Sequence, residues 1–418
     1  MLGAAILAGC MWFYVQHVLV PYQQADAAIS GRPRGNLSDL YPRWLGSREL
    51  LVHHRDPYTA DVTWEIQAGY YGRPLDPARL NDPRDKQGFA YPVYVAFLLA
   101  PTIALPFATV QIMFRWLLVA LVVISVPLWL RVLRWKPSVL TVVTAIVLVL
   151  GSFPALQGIK LQQLSLVVCG LIATSLTLLV SGYLAASGVL LALATIKPQL
   201  AIPVAGWLLL WTLTRWRERQ RFMWGFVATM VLLLAGSEIV LPGWIGKFRL
   251  AVAAYRQYTG GAGSLLDVLL SPILGALLAA LIMLAVVAAC WRGRRAAADS
   301  PTFALLSSLV LAATIVIVPM VAPYNQLLLI PATLILARDY TSLWSARIAK
   351  MLTLLTIGLL LWPWLAATAL TVGSLFLPAS SIQGAWAAPL YTSLGFPLSV
   401  LALLAIHARG RLQAEAKV

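Results

Sequence analysis

The sequence predicts an all-α polytopic membrane protein, and three observations carry that prediction. Of its 418 residues, 60% are hydrophobic and 11% charged, with a mean hydropathy of +0.82. Soluble domains sit nearer half apolar and a quarter charged. Apolar runs approaching the roughly 20 residues that cross the hydrocarbon recur along the chain. Among them are Leu118–Leu130, Val139–Leu150, Leu164–Val180, Val227–Leu241, Ile273–Cys290, Phe303–Val318 and Leu352–Thr371. The third observation is where the positive charge lies. Short connections at 131–136, 215–221, 292–295 and 337–350, with the tail after His407, hold 16 of the 31 basic residues. Those regions and Asp299 contain only four acids. A net charge of +16 on a soluble protein would suggest nucleic acid; gathered between spans, it is the asymmetry that sets loops in the cytoplasm.

The elements follow in order as one transmembrane domain, 1–418. The opening, "MLGAAILAGCMWFYVQHVLV", lacks a basic n-region and a small-residue cleavage site, so it reads as a first span and not a removed signal. Residues 21–90 form a first outer loop with interfacial helices. In "SDLYPRWLGSRELL" Ser38 is the expected N-cap and Asp39 lies in the first turn, where the helix dipole favours an anion. Pro42 is tolerated that early, and Leu40, Trp44 and Leu51 fall on one side, as in a helix lying on the interface. "RDPY" (55–58) ends it, because a residue before proline leaves α geometry. "TADVTWEIQAGYYG" reads as a second short helix, and "RPLDPARLNDPRDKQG" as an ordered loop or lid.

Residues 91–131 must cross an odd number of times. Within them "YPVYVAFLLAPTIALP" is expected as a re-entrant or shallow hairpin before one full span. Spans near 137–153, 161–180, 182–197 and 200–214 then place "GSFPALQGIKLQQ" and "IKPQ" outside. The same parity turns Pro242–Ser271, "VAPYNQ" (321–326) and 372–387 outward, for about 12 crossings in all.

Polar residues gather on that outer side. Nine of the 15 acids lie in the first outer loop, and Gln162, Gln163, Lys160, Lys197, Gln199, Tyr324 and Asn325 fall at outer ends of spans. Binding or chemistry therefore belongs to the outer membrane–water boundary. Each candidate has a plainer reading beside the functional one. Asp39 pairs with Arg43 at i+4, or acts as a base. Lys197 snorkels, or grips an anion where Pro198 breaks the helix. Lys160 is a second candidate cation; Arg115 faces either an anion or the headgroups. Gln163 and Tyr324 hydrogen-bond a ligand or pack between helices, and Asn325, Tyr91 and Arg43 are further candidate contacts. Cys10, Cys169 and Cys290 sit inside apolar runs and build neither a disulfide framework nor a zinc site. No His/Asp/Cys cluster suggests a metal; Asp76, Asp82 and Asp85 are cation ligands or a solvated loop face.

The order of motifs resembles glycosyltransferase family 87, membrane enzymes of GT-C type that use polyprenyl-phosphate sugars. "SDLYPRWLGSRELLVHHRDPY" followed by "GFAYPVYVAFLLAPTIALPF" is similar to the family's opening acid, aromatic helix, "DPY" turn and "YPP"-like membrane entry. "LQQLSLVVCGL" resembles its "GQ-x-N" span start, with Gln163 on the glutamine, Gln162 in place of the glycine and Ser165 in place of the asparagine. "LALATIKPQLAIP" and "APYNQLLLIP" resemble its lysine-proline-glutamine segment and its late tyrosine-containing span. The resemblance runs from about residue 38 to 331. It implies a GT-C-like bundle in the cell membrane with its active site on the periplasmic or extracellular side. It implies Asp39 as the base of an inverting sugar transfer, mannose as the sugar, and a glycolipid, glycan or protein acceptor. The phosphate would fall to Lys197, Lys160 or Arg115, and no cofactor is implied beyond the lipid-linked donor as co-substrate. A transporter or flippase is the alternative, though no internal repeat of the kind transporters carry is seen. A membrane scaffold is a third reading, which leaves the motif order unexplained.

Overall fold

The computed structural model describes residues 1–36, 38–76, 78–258, 263–319, 321–344 and 347–415. Parts of the expected lid (Pro77), of the outward segment Pro242–Ser271 (259–262), of the basic 337–350 loop (345–346) and of the C-terminal tail (416–418) lie outside the described residues. Among the described residues all regular structure is helical.

Among the described residues six helices are long and apolar enough to cross a membrane: Leu2–Ile29, Phe107–Val132, Trp216–Val240, Pro272–Arg292, Arg347–Gly373 and Ala379–Gln413. Val139–Leu150 and Phe153–Lys160 make a seventh if the pair, bent by 54°, is one span. Should the shorter apolar helices Leu164–Val180, Leu184–Ala194, Pro198–Leu213 and Pro301–Ile317 cross as well, the seven and these four make 11 crossings, against the expected figure of about 12. Helices 164–180 and 301–317 are buried around most of their circumference, as a helix apolar on all sides must be. The long helices expose Leu232, Ile239, Ile273, Leu281, Leu284, Ile348 and Met351. So many exposed large apolar side chains suit lipid and not water.

Local chemistry explains where helices begin. Ser152, Ser271 and Ser300 each accept a hydrogen bond from a backbone N–H of the first turn, and Pro154, Pro272 and Pro301 stand at N1 or N2. Helices 184–194 and 216–240 cross at glycines. A Cβ on Gly188 would collide with the Phe222 carbonyl, and one on Gly225 with that of Ala185, so the backbones approach as only small residues allow. Trp207 Nε1 donates to Ser307 Oγ (3.1 Å), fixing helix 198–213 on helix 301–317.

The first loop folds differently in detail from the sequence expectation. Its first helix is Tyr41–Val52, and its N-cap position, Leu40, makes no side-chain cap. Ser38 is therefore not the N-cap: its hydroxyl donates to Gln162 Oε1 instead. Asp39 precedes the helix, in a turn whose backbone N–H donates to Leu161 O (2.8 Å). The helix ends three residues before the "DPY" turn, where His54 is left-handed (φ 54°). This helix also packs against the protein. Leu40, Trp44 and Leu50 are core residues, and Trp44 Nε1 donates to Thr102 O (3.2 Å). A second helix, Ala60–Tyr71, closes on left-handed Gly72. Residues 91–106 form the short helix Val95–Leu99 and a 3₁₀ turn, Ala100–Thr102, ahead of the 107–132 span.

Candidate active site

Four segments far apart in sequence meet around one cavity of about 530 Å³. Asp39 and Arg43 come from the first loop, Gln163 from the start of helix 164–180, Lys197 from the start of helix 198–213, and Tyr324 and Asn325 from the 3₁₀ segment Pro323–Leu329.

The "QQ" pair explains how Asp39 is placed. Gln162 adopts a left-handed backbone (φ 53°), the position at which the resembled motif has glycine. A non-glycine residue there is strained by roughly 1–2 kcal/mol, and two side-chain bonds offset this: Oε1 accepts from Ser38 and Nε2 donates to Gln111 O (2.6 Å). The Asp39 turn is thereby docked on the 160–163 turn. The kink also turns the next residue inward. Gln163 Nε2 donates to Asp39 Oδ2, and Gln163 Oε1 accepts from Lys197 Nζ (3.5 Å).

Lys197 is the last residue of the break at 195–197, with Pro198 opening the next helix as Pro does at N1. Its Nζ donates to Ser165 Oγ and stands 5.1 Å from the centre of the Tyr324 ring. Lys197 is only 7% exposed, and its immediate partners are all neutral; among the described residues no carboxylate lies within ion-pair distance of it. A buried cation so placed has a standing demand for an anion.

Arg43 does not make the i+4 carboxylate pair that spacing allowed. Its Nη1 donates to the Asp39 backbone oxygen (2.7 Å), and its guanidinium lies 4.7 Å over the Tyr91 ring. The carboxylate is left to Gln163 and the cavity. Burial pushes the Asp39 carboxyl above the ordinary aspartate value, while Arg43, Lys197 and the Gln163 amide pull against that and Asp85 adds to it. Two buried polar atoms at the cavity have no partner among the described residues, Asn325 Oδ1 and Arg43 Nε. Such atoms are costly unless a ligand satisfies them.

Not all the candidate residues converge. Arg115 is exposed on the outer face of helix 107–132, and Lys160 is half-buried at the end of helix 153–160; neither lines this cavity. Conversely, Asp85, which the sequence left as a cation ligand or part of a solvated loop face, belongs to this cavity. It lines the cavity and accepts from the Gln87 N–H (3.0 Å) and Nε2 (2.8 Å), with burial raising its carboxyl. Asp76, Asp82 and Asp85 do not gather as a cation site. Asp82 pairs with Arg73, which holds its carboxyl down to about 2, and Asp76 leans towards Arg79 (3.7 Å). Among the described residues no group of three or more His, Cys, Asp or Glu is arranged for a metal ion. Sequence reading missed helix Trp244–Tyr258, which brings Tyr255, Arg249 and Arg256 over the cavity and is tethered by Lys247 to Asp56 (2.9 Å). Its alternation of apolar and basic residues was the available signal.

The model of glycosyltransferase family 87 matches residues 89–323, more than half of the 418-residue chain. Tyr91, Gln163 and Lys197 fall inside the match; Asp39, Arg43, Asp85, Tyr324 and Asn325 are brought to it by the fold. No curated protein and no solved structure matches the chain.

Proposed function

The chain belongs to glycosyltransferase family 87 and is an enzyme that transfers a sugar; from that premise we propose a polyprenyl-phosphate sugar as donor, an acceptor hydroxyl as nucleophile, and Asp39 as base. The observation that carries this reading is the chain of contacts Asp39–Gln163–Lys197, which holds a carboxylate and an unneutralised ammonium in one cavity.

In this mechanism the donor phosphate sits against Lys197 Nζ. The acceptor oxygen attacks the anomeric carbon from the side opposite the phosphate, its proton passing to Asp39 as the C–O bond forms. The anomeric C–O bond to phosphate breaks with its electron pair going to the phosphate, so configuration inverts. A phosphate leaves without strong protonation, which is why one carboxylate suffices where glycoside hydrolysis needs two. Lys197 stabilises the charge that grows on the departing group. Asn325 Oδ1 and Arg43 Nε, short of partners, are suited to sugar or acceptor hydroxyls, and Tyr91 and Tyr324 supply aromatic walls. No metal or cofactor is invoked.

Mannose as the sugar rests on the family resemblance. The basic loops support putting this mouth on the periplasmic or extracellular side of a multi-pass protein of the cell membrane. The test is Asp39→Asn in the full-length protein in lipid nanodiscs. Sugar transfer from a polyprenyl-phosphate donor should fall by at least about 100-fold, with the unfolding midpoint unchanged. A variant that retains full activity removes Asp39 as the base.

A further inference from the structure

We propose that Gln163 is the positioning residue of the transfer reaction, one side-chain amide that ties the Asp39 carboxylate to the Lys197 ammonium and so fixes base and phosphate site relative to each other. This rests on the function proposed above, and it departs from the plainer role of Gln163 as a contact for sugar hydroxyls.

The geometry leaves little of Gln163 for a substrate. Nε2 donates to Asp39 Oδ2, Oε1 accepts from Lys197 Nζ, and the residue is 4% exposed. Its orientation is determined by chemistry, because a carboxylate accepts only from the NH₂ end and an ammonium donates only to the oxygen end. The backbone is held too. The Gln163 N–H donates to Gly158 O (2.9 Å), and the left-handed residue before it is locked by Ser38 and Gln111. An amide fixed at its root and gripped at both polar atoms behaves as a spacer of set length. That is what a displacement needs when the attacking and leaving oxygens lie on opposite sides of one carbon.

The amide also acts on the proton. A donor to the ionised carboxylate favours that form, against the burial and the Asp85 charge that oppose it. The other ionisable neighbours of Asp39 are Arg43 on its own segment, Lys197, Tyr255 on helix 244–258, and Tyr324. Tyr70 and Tyr71 face it from helix 60–71. Of these only Lys197 also bonds Gln163, so a shift in the pH dependence reports the loss of the amide that links carboxylate and ammonium.

Two variants test the role in the full-length enzyme in nanodiscs, with a polyprenyl-phosphate sugar as donor and kcat and KM measured across pH. Gln163→Met keeps the volume and removes both polar atoms. Its kcat should fall roughly tenfold or more, the loss typical of one bond to a charged group, with donor KM changing less than kcat. The acidic limb of its kcat profile should move to higher pH. Gln163→Glu is nearly isosteric and sets a second carboxylate against Asp39; the pair then holds a shared proton to higher pH, and its acidic limb should move up as well. If both variants fold and keep the wild-type acidic limb, the proposal is overturned. If neither accumulates as folded protein, Gln163 serves folding and the proposal is again overturned. Failure here is separable from failure of the catalytic reading: an inactive Asp39→Asn beside an unshifted Gln163→Met profile sinks only the positioning role.

Discussion

Replacing Lys197 with methionine should weaken donor binding without weakening the fold, and the structure sets the size of the effect. Lys197 Nζ is buried among Ser165 Oγ, Gln163 Oε1 and the Tyr324 ring, with no carboxylate in ion-pair range among the described residues. Its worth to the apoprotein is therefore small, since the desolvation cost of a buried ammonium is met only by neutral partners. A phosphate placed against it would gain a charge-assisted hydrogen bond worth about 1.5–3 kcal/mol. At 1.4 kcal/mol per factor of ten, Lys197→Met should raise the donor Kd by about 10- to 150-fold. Methionine matches the stem in length and lacks the charge, so the unfolding midpoint of the donor-free protein should hold or rise. The assay is titration of the nanodisc-embedded protein with a polyprenyl-phosphate sugar, alongside thermal unfolding without donor. A donor Kd within twofold of wild type would place the phosphate elsewhere. A large fall in the midpoint with unaltered affinity would make Lys197 a structural residue, and the reasoning from its neutral surroundings would be wrong.

Two more predictions follow from the same structure. Because burial raises the Asp39 carboxyl, the wild-type rate should be lost on acidification at a pH above the ordinary aspartate range, as the base becomes protonated. A kcat profile that stays flat down to that range would contradict the environment described for Asp39. At the helix crossing, Gly225→Ala should lower the unfolding midpoint, by about 1–3 kcal/mol in stability, because its Cβ meets the Ala185 backbone. The control is Gly206→Ala, whose Cβ meets nothing and which should be neutral or slightly stabilising; equal effects of the two would contradict the close crossing.

By itself the sequence determined the helical membrane class, the family and the order of its motifs. Those are properties of neighbours along the chain: apolar runs, the basic residues between them, Ser–Pro starts, and a proline after Lys197. It also marked Gln163, Lys197, Tyr324 and Asn325 as candidates, because a polar group at the end of an apolar span is conspicuous, and Asp39 through the resemblance of its loop to the family's opening. What the tertiary structure decided is which of them meet. Asp39 and Gln163 are 124 positions apart, and Gln163 and Lys197 are 34; no periodicity encodes either contact. Arg115 stayed open because helix 107–132 is apolar on all sides, so its pattern does not say which face turns inward. Asp85 read as a solvated loop acid because its surroundings, Gln163, Lys197 and Tyr255, arrive from distant segments. Ser38 read as a cap because its nearest backbone favours one; the fold gave its hydroxyl to Gln162 instead, a buried left-handed glutamine brought to it from 124 positions away.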